Sequence, residues 1–318
     1  MLSAPPYPRT KSPTADELVR QLTHFPSAPR VLPRLKRLLT DGNSAMVDIV
    51  SFIRLDPGIA ARVLQVGNSA FYGNGNVCFT VDQAVHRVGY DQIYELVSYA
   101  VASQVLEHPL AAYRLEADDL WEMSVACALA AEHIAAQTGQ DQSIAYTTGL
   151  LHGVGMVAVN DWVCRHHAGC ELTVLPLPGE AVAAERALLG FTHAEAGAAL
   201  LKLWEFPGAM TEPVRWQYLP RLTVAHNRAA CLLHAAKWLR TAVCTESSLP
   251  PAPDPAILQA LGLGQRHLEA WLPEIRARLD AVSSLLQVET GETAELNFPG
   301  GRRALSLGPD PRGRHLAA

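Results

Sequence analysis

An all-α protein of two helical bundles is what this sequence predicts, and three observations predict it. Apolar residues recur at spacings of three and four along nearly its whole length. No stretch sustains the alternation of a half-buried strand. Helix-starting and helix-stopping residues punctuate the chain at short intervals. Hydrophobic residues make up 49% of the 318 residues and charged residues only 18%, a balance that supplies a large core and leaves little room for disorder.

The first dozen residues are proline-rich and are expected to be loose. Helices are then expected over 14–24, 29–40, 45–54, 57–67, 81–88 and 91–107, forming an N-terminal bundle. Asp56 puts a capping carboxylate ahead of Pro57, which needs no backbone donor at a first helical position. Asn68, or the Asn74-Gly75 pair, releases the chain into a turn. Gly89 ends a helix and Asp91 can cap the next.

Residues 107–116 read as a connector, after which Asp118 or Asp119 opens a long helix running to Gln137 and ending at Gly139. Val125, Cys127, Leu129 and Ile134 make that helix apolar on most sides, so it should be central. Further helices fit 141–152, 154–168, 178–189, 193–204, 207–218, 222–243, 254–262 and 265–288. The expected organisation is a flexible segment 1–13, a unit over 14–290 divided into subdomains 14–107 and 116–290, and a Gly-, Pro- and Arg-rich flexible tail over 291–318.

A formal net charge of −5 argues against a whole-molecule nucleic-acid footprint. Arg54, Arg62, His86 and Arg87 are too few for a basic DNA-binding face. No basic segment followed by an apolar run marks the N-terminus as a signal peptide. No helix gathers the roughly 18 apolar residues of a membrane span. Six cysteines without paired spacing fit a reduced, cytoplasmic protein with no disulfide framework.

Several motifs then fall in order. Leu150-Leu151-His152-Gly153-Val154-Gly155-Met156 resembles the HD signature Leu-Leu-His-Asp-Ile-Gly-Lys. The run from Ile53 to Gly73, with Asp56-Pro57, Asn68-Ser69 and Tyr72-Gly73 in place, resembles the hallmark of HDOD domains, the HD-related output domains of bacterial signalling. Val81–Gly89 resembles that family's following helix. Glu185, Gly190, His193, Gly197, Leu200, Trp204 and Pro207 keep the spacing of a third family pattern. The resemblance covers roughly residues 20–245 and implies an N-terminal HDOD-type bundle packed on a larger HD-like bundle.

The resemblance also implies where a metal centre would lie, and most of its ligands are missing here. Met123 stands at the position of the first histidine, and Gly153 replaces the aspartate of the His-Asp pair. Ala236 stands where the last aspartate is expected. Val214-Arg215-Trp216-Gln217 occupies the region of a His-His pair found in two-metal relatives. Only His152 and His193 remain, too few for a stable site and without a carboxylate to orient water. No catalytic residue, metal or cofactor is therefore expected.

Other clusters read as structural. Cys164, His166, His167 and Cys170 lack a zinc hairpin's spacing and fit a helix end. Glu132 and His133 have no partner identifiable in sequence, and Thr192 with Glu195 forms a capping box. The leading expectation is a non-catalytic regulatory protein, acting on a signalling protein partner in two-component or cyclic-di-GMP circuits. Tyr72, Trp121, Trp204 and Trp216 fit two readings equally: aromatic anchors in a groove between the bundles, with Trp216 the most exposed, or plain core. The alternative is a sensor of a nucleotide or cyclic dinucleotide in the vestigial pocket formed by Met123, His152, Gly153, His193 and Ala236. That reading calls for a polar cavity with a nearby cation such as Arg186 or Lys202.

Overall fold

Side-chain caps start several helices of this chain. In the computed structural model, buried Asp56 accepts from the Ile59 N–H at 2.8 Å and Pro57 takes the first helical position, so the next helix starts there. Thr80 and Asp141 cap two further helices through Gln83 and Ile144. The structure describes residues 13–20, 38, 45–69, 72, 76–89, 92–93, 109–167, 169–172, 182–245 and 249–286.

In chain order the helices are α1 (Ala15–Arg20), α2 (Met46–Ile53), α3 (Pro57–Gly67), α4 (Val81–Val88) and α5 (Ala117–Thr138). Next come α6 (Gln142–Leu150), α7 (Val154–His166), α8 (Ala183–Leu189), α9 (His193–Leu203) and α10 (Gly208–Arg215). The chain then runs through α11 (Asn227–Cys244), α12 (Pro255–Gln259) and α13 (Gln265–Leu286). Among the described residues there is no strand, only an isolated bridge between Leu110 and Leu115. The fold is all-α, as the periodicity predicts. The expected helix over 91–107, most of that over 29–40, and the tail over 291–318 lie outside the described residues, as does nearly all of segment 1–13.

Some boundaries differ, for local reasons. The long helix begins at Ala117 rather than at Asp118 or Asp119, because the Asp119 carboxylate folds back to accept from the Glu116 N–H at 2.8 Å. The expected helix over 222–243 starts only at Asn227, after a 3-10 turn at Pro220–Leu222 that the Asn227 amide ties down through the Pro220 carbonyl. The connector holds a second such turn at Ala111–Tyr113, closed by Arg114 in the left-handed region at φ 52°.

Helix α5 is central: its face from Val125 to Ala131 is buried, and α6, α11 and α13 all pack on it. Its Glu132 pairs with Arg278 of α13 and Arg54, while His133 meets Glu274 at 3.1 Å and stacks edge-on against Trp271. Helix α13 thus supplies the partners that no local reading of Glu132 and His133 could find. Across the bundles, the Trp121 indole donates to the Leu55 carbonyl at 2.8 Å and the Tyr146 hydroxyl to the Arg54 carbonyl at 3.0 Å. Helix α1, with Leu18 and Val19 buried, packs on α9 and α7.

Helices α7 and α9 touch backbone to backbone. A Cβ at Gly155 would lie 1.9 Å from the His193 carbonyl oxygen, so the glycine of the Leu-Leu-His-Gly-Val-Gly motif is required by packing. That contact sets His152 and His193 within one buried cluster.

Candidate functional site

Each histidine of the cluster is fixed by a hydrogen bond that also sets its tautomer. His152, 2% exposed, places Nδ1 2.7 Å from the Gly149 carbonyl. A carbonyl only accepts, so Nδ1 carries the hydrogen and Nε2 keeps its lone pair. That lone pair faces the Arg240 guanidinium, whose Nη1 is 3.5 Å away. Burial first, then Arg240 and Lys237, push the His152 pKa well below its ordinary value, and the ring stays neutral.

His193 lives against a carboxylate instead. Glu185, fully buried on α8, accepts from the His193 backbone N–H at 2.7 Å and from its Nδ1 at 2.8 Å. The Tyr113 hydroxyl, delivered by the 3-10 turn of the connector, adds a third donor at 2.6 Å. Burial alone would raise the Glu185 pKa, but His193 and the three hydrogen bonds outweigh it and hold the carboxyl below its usual range. On the other side of the ring, Nε2 is hydrogen-bonded to the Tyr218 hydroxyl at 3.2 Å.

The floor of the cluster is basic. Lys237 on α11 is 1% exposed; its Nζ donates to the Gln217 side-chain oxygen at 2.7 Å and sits 3.3 Å from the centre of the Tyr218 ring. Burial, reinforced by Arg240, lowers its pKa well below the ordinary lysine value. Gln217 in turn donates to the carbonyls of His152 and Val214. His234, one turn before Lys237, donates from Nδ1 to the Gln217 carbonyl, and burial lowers its pKa to about 4. The Cys127 thiol is pushed up to about 12 by burial, so it is no nucleophile.

Arg240 closes the cluster toward solvent. It is 4% exposed; Nη2 donates to the Thr241 hydroxyl at 2.9 Å, and its Nε has no partner among the described residues. Beyond it lies a cavity of about 380 Å³ between α5 and α11, walled in part by Asp119, Glu122, Met123 and Thr241.

A family model of the HDOD domain matches residues 25–220, more than half of the chain. The chain belongs to the HDOD family. Solved structures similar to this HDOD chain include the MmoQ response regulator of Methylococcus capsulatus str. Bath, at 22% identity and TM-score 0.61, covering 79% of this chain and 99% of that one. A virulence factor of Campylobacter jejuni subsp. jejuni is similar at 19% identity and TM-score 0.59, covering 86% and 95% of the two chains. Both likenesses speak to the fold alone. An uncharacterized protein of Treponema pallidum (strain Nichols) is 26% identical over 211 residues, 64% of this chain, which spans only 39% of that relative's length.

The residues that the HDOD resemblance singles out can now be placed. Met123 lines the cavity, His152 touches Arg240, and Ala236 is buried on α11 without a polar group to offer. Gly153 precedes α7, with Leu120 and Met156 side chains where its own would start. An HD-type metal does not fit this set: His193 is saturated by Glu185 and Tyr218, and the free lone pair of His152 is turned to a guanidinium. No three His, Cys, Asp or Glu side chains converge as metal ligands among the described residues.

In the N-terminal bundle the HDOD motif residues build the backbone. Asn68 clamps Cys78 from both sides, accepting from its N–H at 2.7 Å and donating to its carbonyl at 3.0 Å, while Ser69 turns back to the Val66 carbonyl. Tyr72 is half-buried; Gly73 lies outside the described residues. Gly89, at φ 94°, ends α4, and half-buried Trp204 ends α9.

One expectation needs correction. Arg186 is spent on Glu195 at the surface and Lys202 is exposed, so the cations of the cluster are Lys237 and Arg240. Trp121 is buried and joins the two bundles, as the plain-core alternative has it. Trp216, like Tyr72 and Trp204, is half-buried; its indole bonds to Glu212, and exposed apolar side chains follow it at Leu219, Leu222 and Val224. Tyr113, Tyr218, Lys237 and Arg240 were the residues sequence reasoning missed. One signal was available: His234, Lys237 and Thr241 repeat at helical spacing within an otherwise Ala-, Leu- and Cys-rich run.

Proposed function

We propose that this HDOD protein is a regulatory component of bacterial signal transduction that works without phosphohydrolase chemistry, by binding a signalling protein partner in the cytoplasm. The observation that carries the reading is the Arg240 guanidinium set 3.5 Å from His152 Nε2, the lone pair a metal ion would need. A guanidinium at His152 repels a divalent cation, and the carboxylate of this cluster, Glu185, is consumed by three donors. The likeness to a protein named as a response regulator agrees with a signalling role. No helix among the described residues is long and apolar enough to cross a membrane. The unit 14–290 is proposed as the functional body, wider than the matched segment.

The partner face proposed is the stretch from Trp216 to Val224. Leu219, Leu222 and Val224 are exposed there, Val224 at 95%, beside a cavity of about 460 Å³ floored by Tyr218 and Ile257. Nucleic acid is a poor candidate, since Arg54 is held by Glu132 and Tyr146 and Arg87 by the Gly67 and Asn76 carbonyls. The test is metal analysis of protein purified without chelator, together with hydrolysis of bis(p-nitrophenyl) phosphate in added manganese. Neither stoichiometric metal nor turnover is expected; either one would sink the non-catalytic reading.

A second reading, small-ligand sensing, is favoured by the cavity at Met123 and Arg240. The partner-binding and sensing roles are compatible, one being output and the other input.

A further inference from the structure

The cavity between α5 and α11 holds two unspent charges of opposite sign. Arg240 is buried, is paired with no carboxylate, and leaves its Nε without a partner among the described residues. Glu122, on the same cavity's wall, enters no ion pair or hydrogen bond there either, and none joins it to Arg240. By contrast, half-buried Arg54 and Arg278 are both matched by Glu132. A buried guanidinium without a counter-charge lowers stability. Arg240 lines an open cavity, so an anion that entered it could supply the missing counter-charge.

We propose that this cavity binds a small zwitterion, whose carboxylate or phosphate meets Arg240 and Thr241 and whose ammonium group meets Glu122. A polyanion such as a nucleotide would put its excess charge against Glu122 and Asp119 at the wall, whereas a zwitterion satisfies both ends. The volume of about 380 Å³ falls at the small end of the roughly 300–1,000 Å³ usual for ligand sites. The inference rests on the sensing reading and narrows its ligand from a nucleotide to an amino-acid-like molecule.

The test is thermal unfolding of the full chain with γ-aminobutyrate or phosphoethanolamine, against butyrate, inorganic phosphate, butylamine and AMP, each at about 10 mM. The zwitterions are expected to raise Tm by roughly 2–4 °C, the one-ended probes and AMP by much less. Arg240→Met and Glu122→Gln should each abolish the zwitterion shift. Glu122 is half-buried on a long helix, so Glu122→Gln keeps the test decisive should Arg240→Met fail to fold. Equal shifts from butyrate or phosphate would reveal an anion site only and overturn the two-ended proposal. A shift from AMP alone would overturn it while leaving ligand sensing standing, and no shift from any probe would overturn both. None of these outcomes bears on the metal and hydrolysis assays.

Discussion

His193 and His152 lie in one buried cluster yet stand in opposite electrostatic surroundings. His193 is enclosed by Glu185, Tyr113 and Tyr218, and each of its polar atoms is matched. His152 faces Arg240 and Lys237, is kept neutral by burial and by them, and borders a guanidinium whose Nε is unmatched. The first side behaves as a keystone joining the connector, α8, α9 and the segment after α10. The second borders a cavity and keeps a charge that the fold does not need. The two histidines thus mark two kinds of buried polar group: one whose hydrogen bonds are all met within the fold, and one beside a group left unmatched.

The largest test of that contrast is Glu185→Ala. It strands the His193 N–H, its Nδ1–H and the Tyr113 hydroxyl, and stability measured by urea unfolding should fall by about 3–5 kcal/mol. A loss below 1 kcal/mol, on the order of a surface change, would mean that the keystone reading is wrong.

Acid should act next, and on both sides together. His234 has a pKa near 4 in the folded chain against 6.5 ordinarily. Between those values the unfolded chain binds more protons, so stability rises with pH across that window and is lost on acidification. The contribution is about 3 kcal/mol from His234. His152 adds in the same direction, and Glu185 adds stability that disappears as pH falls through its lowered pKa. Urea midpoints from pH 7 to pH 4 measure this, with His234→Gln expected to flatten the curve; a flat curve for the unaltered chain would contradict neutral buried imidazoles.

Gly155→Ala comes third. Its methyl group would collide with the His193 carbonyl and force α7 from α9, at roughly 1–3 kcal/mol. Calorimetry would register the loss, and an unchanged Tm would show that the two helices can part without strain. The smallest effect belongs to Arg240→Met, which removes a buried cation lacking a carboxylate. Stability is expected to hold or to gain about 1 kcal/mol, the opposite sign from Glu185→Ala. A large loss would make Arg240 a second keystone and erase the contrast.

The sequence by itself determined the helices and the family. Asp56-Pro57, Asn68, Thr192 with Glu195, and Gly89 act on their own neighbours within a few residues, and such local capping is legible without tertiary structure. The sequence also places Met123, Gly153 and Ala236, none with an oxygen or nitrogen ligand in its side chain, at positions the family resemblance assigns to metal ligands. What replaced the ligands was decided only in three dimensions. Tyr113, Glu185, Gln217 and Lys237 are separated by up to 124 residues in sequence, and α5, α9 and α11 bring their neighbours into one cluster. Whether a lysine or an arginine is buried, paired or left facing a cavity depends on what packs opposite it, and no spacing along the chain records that.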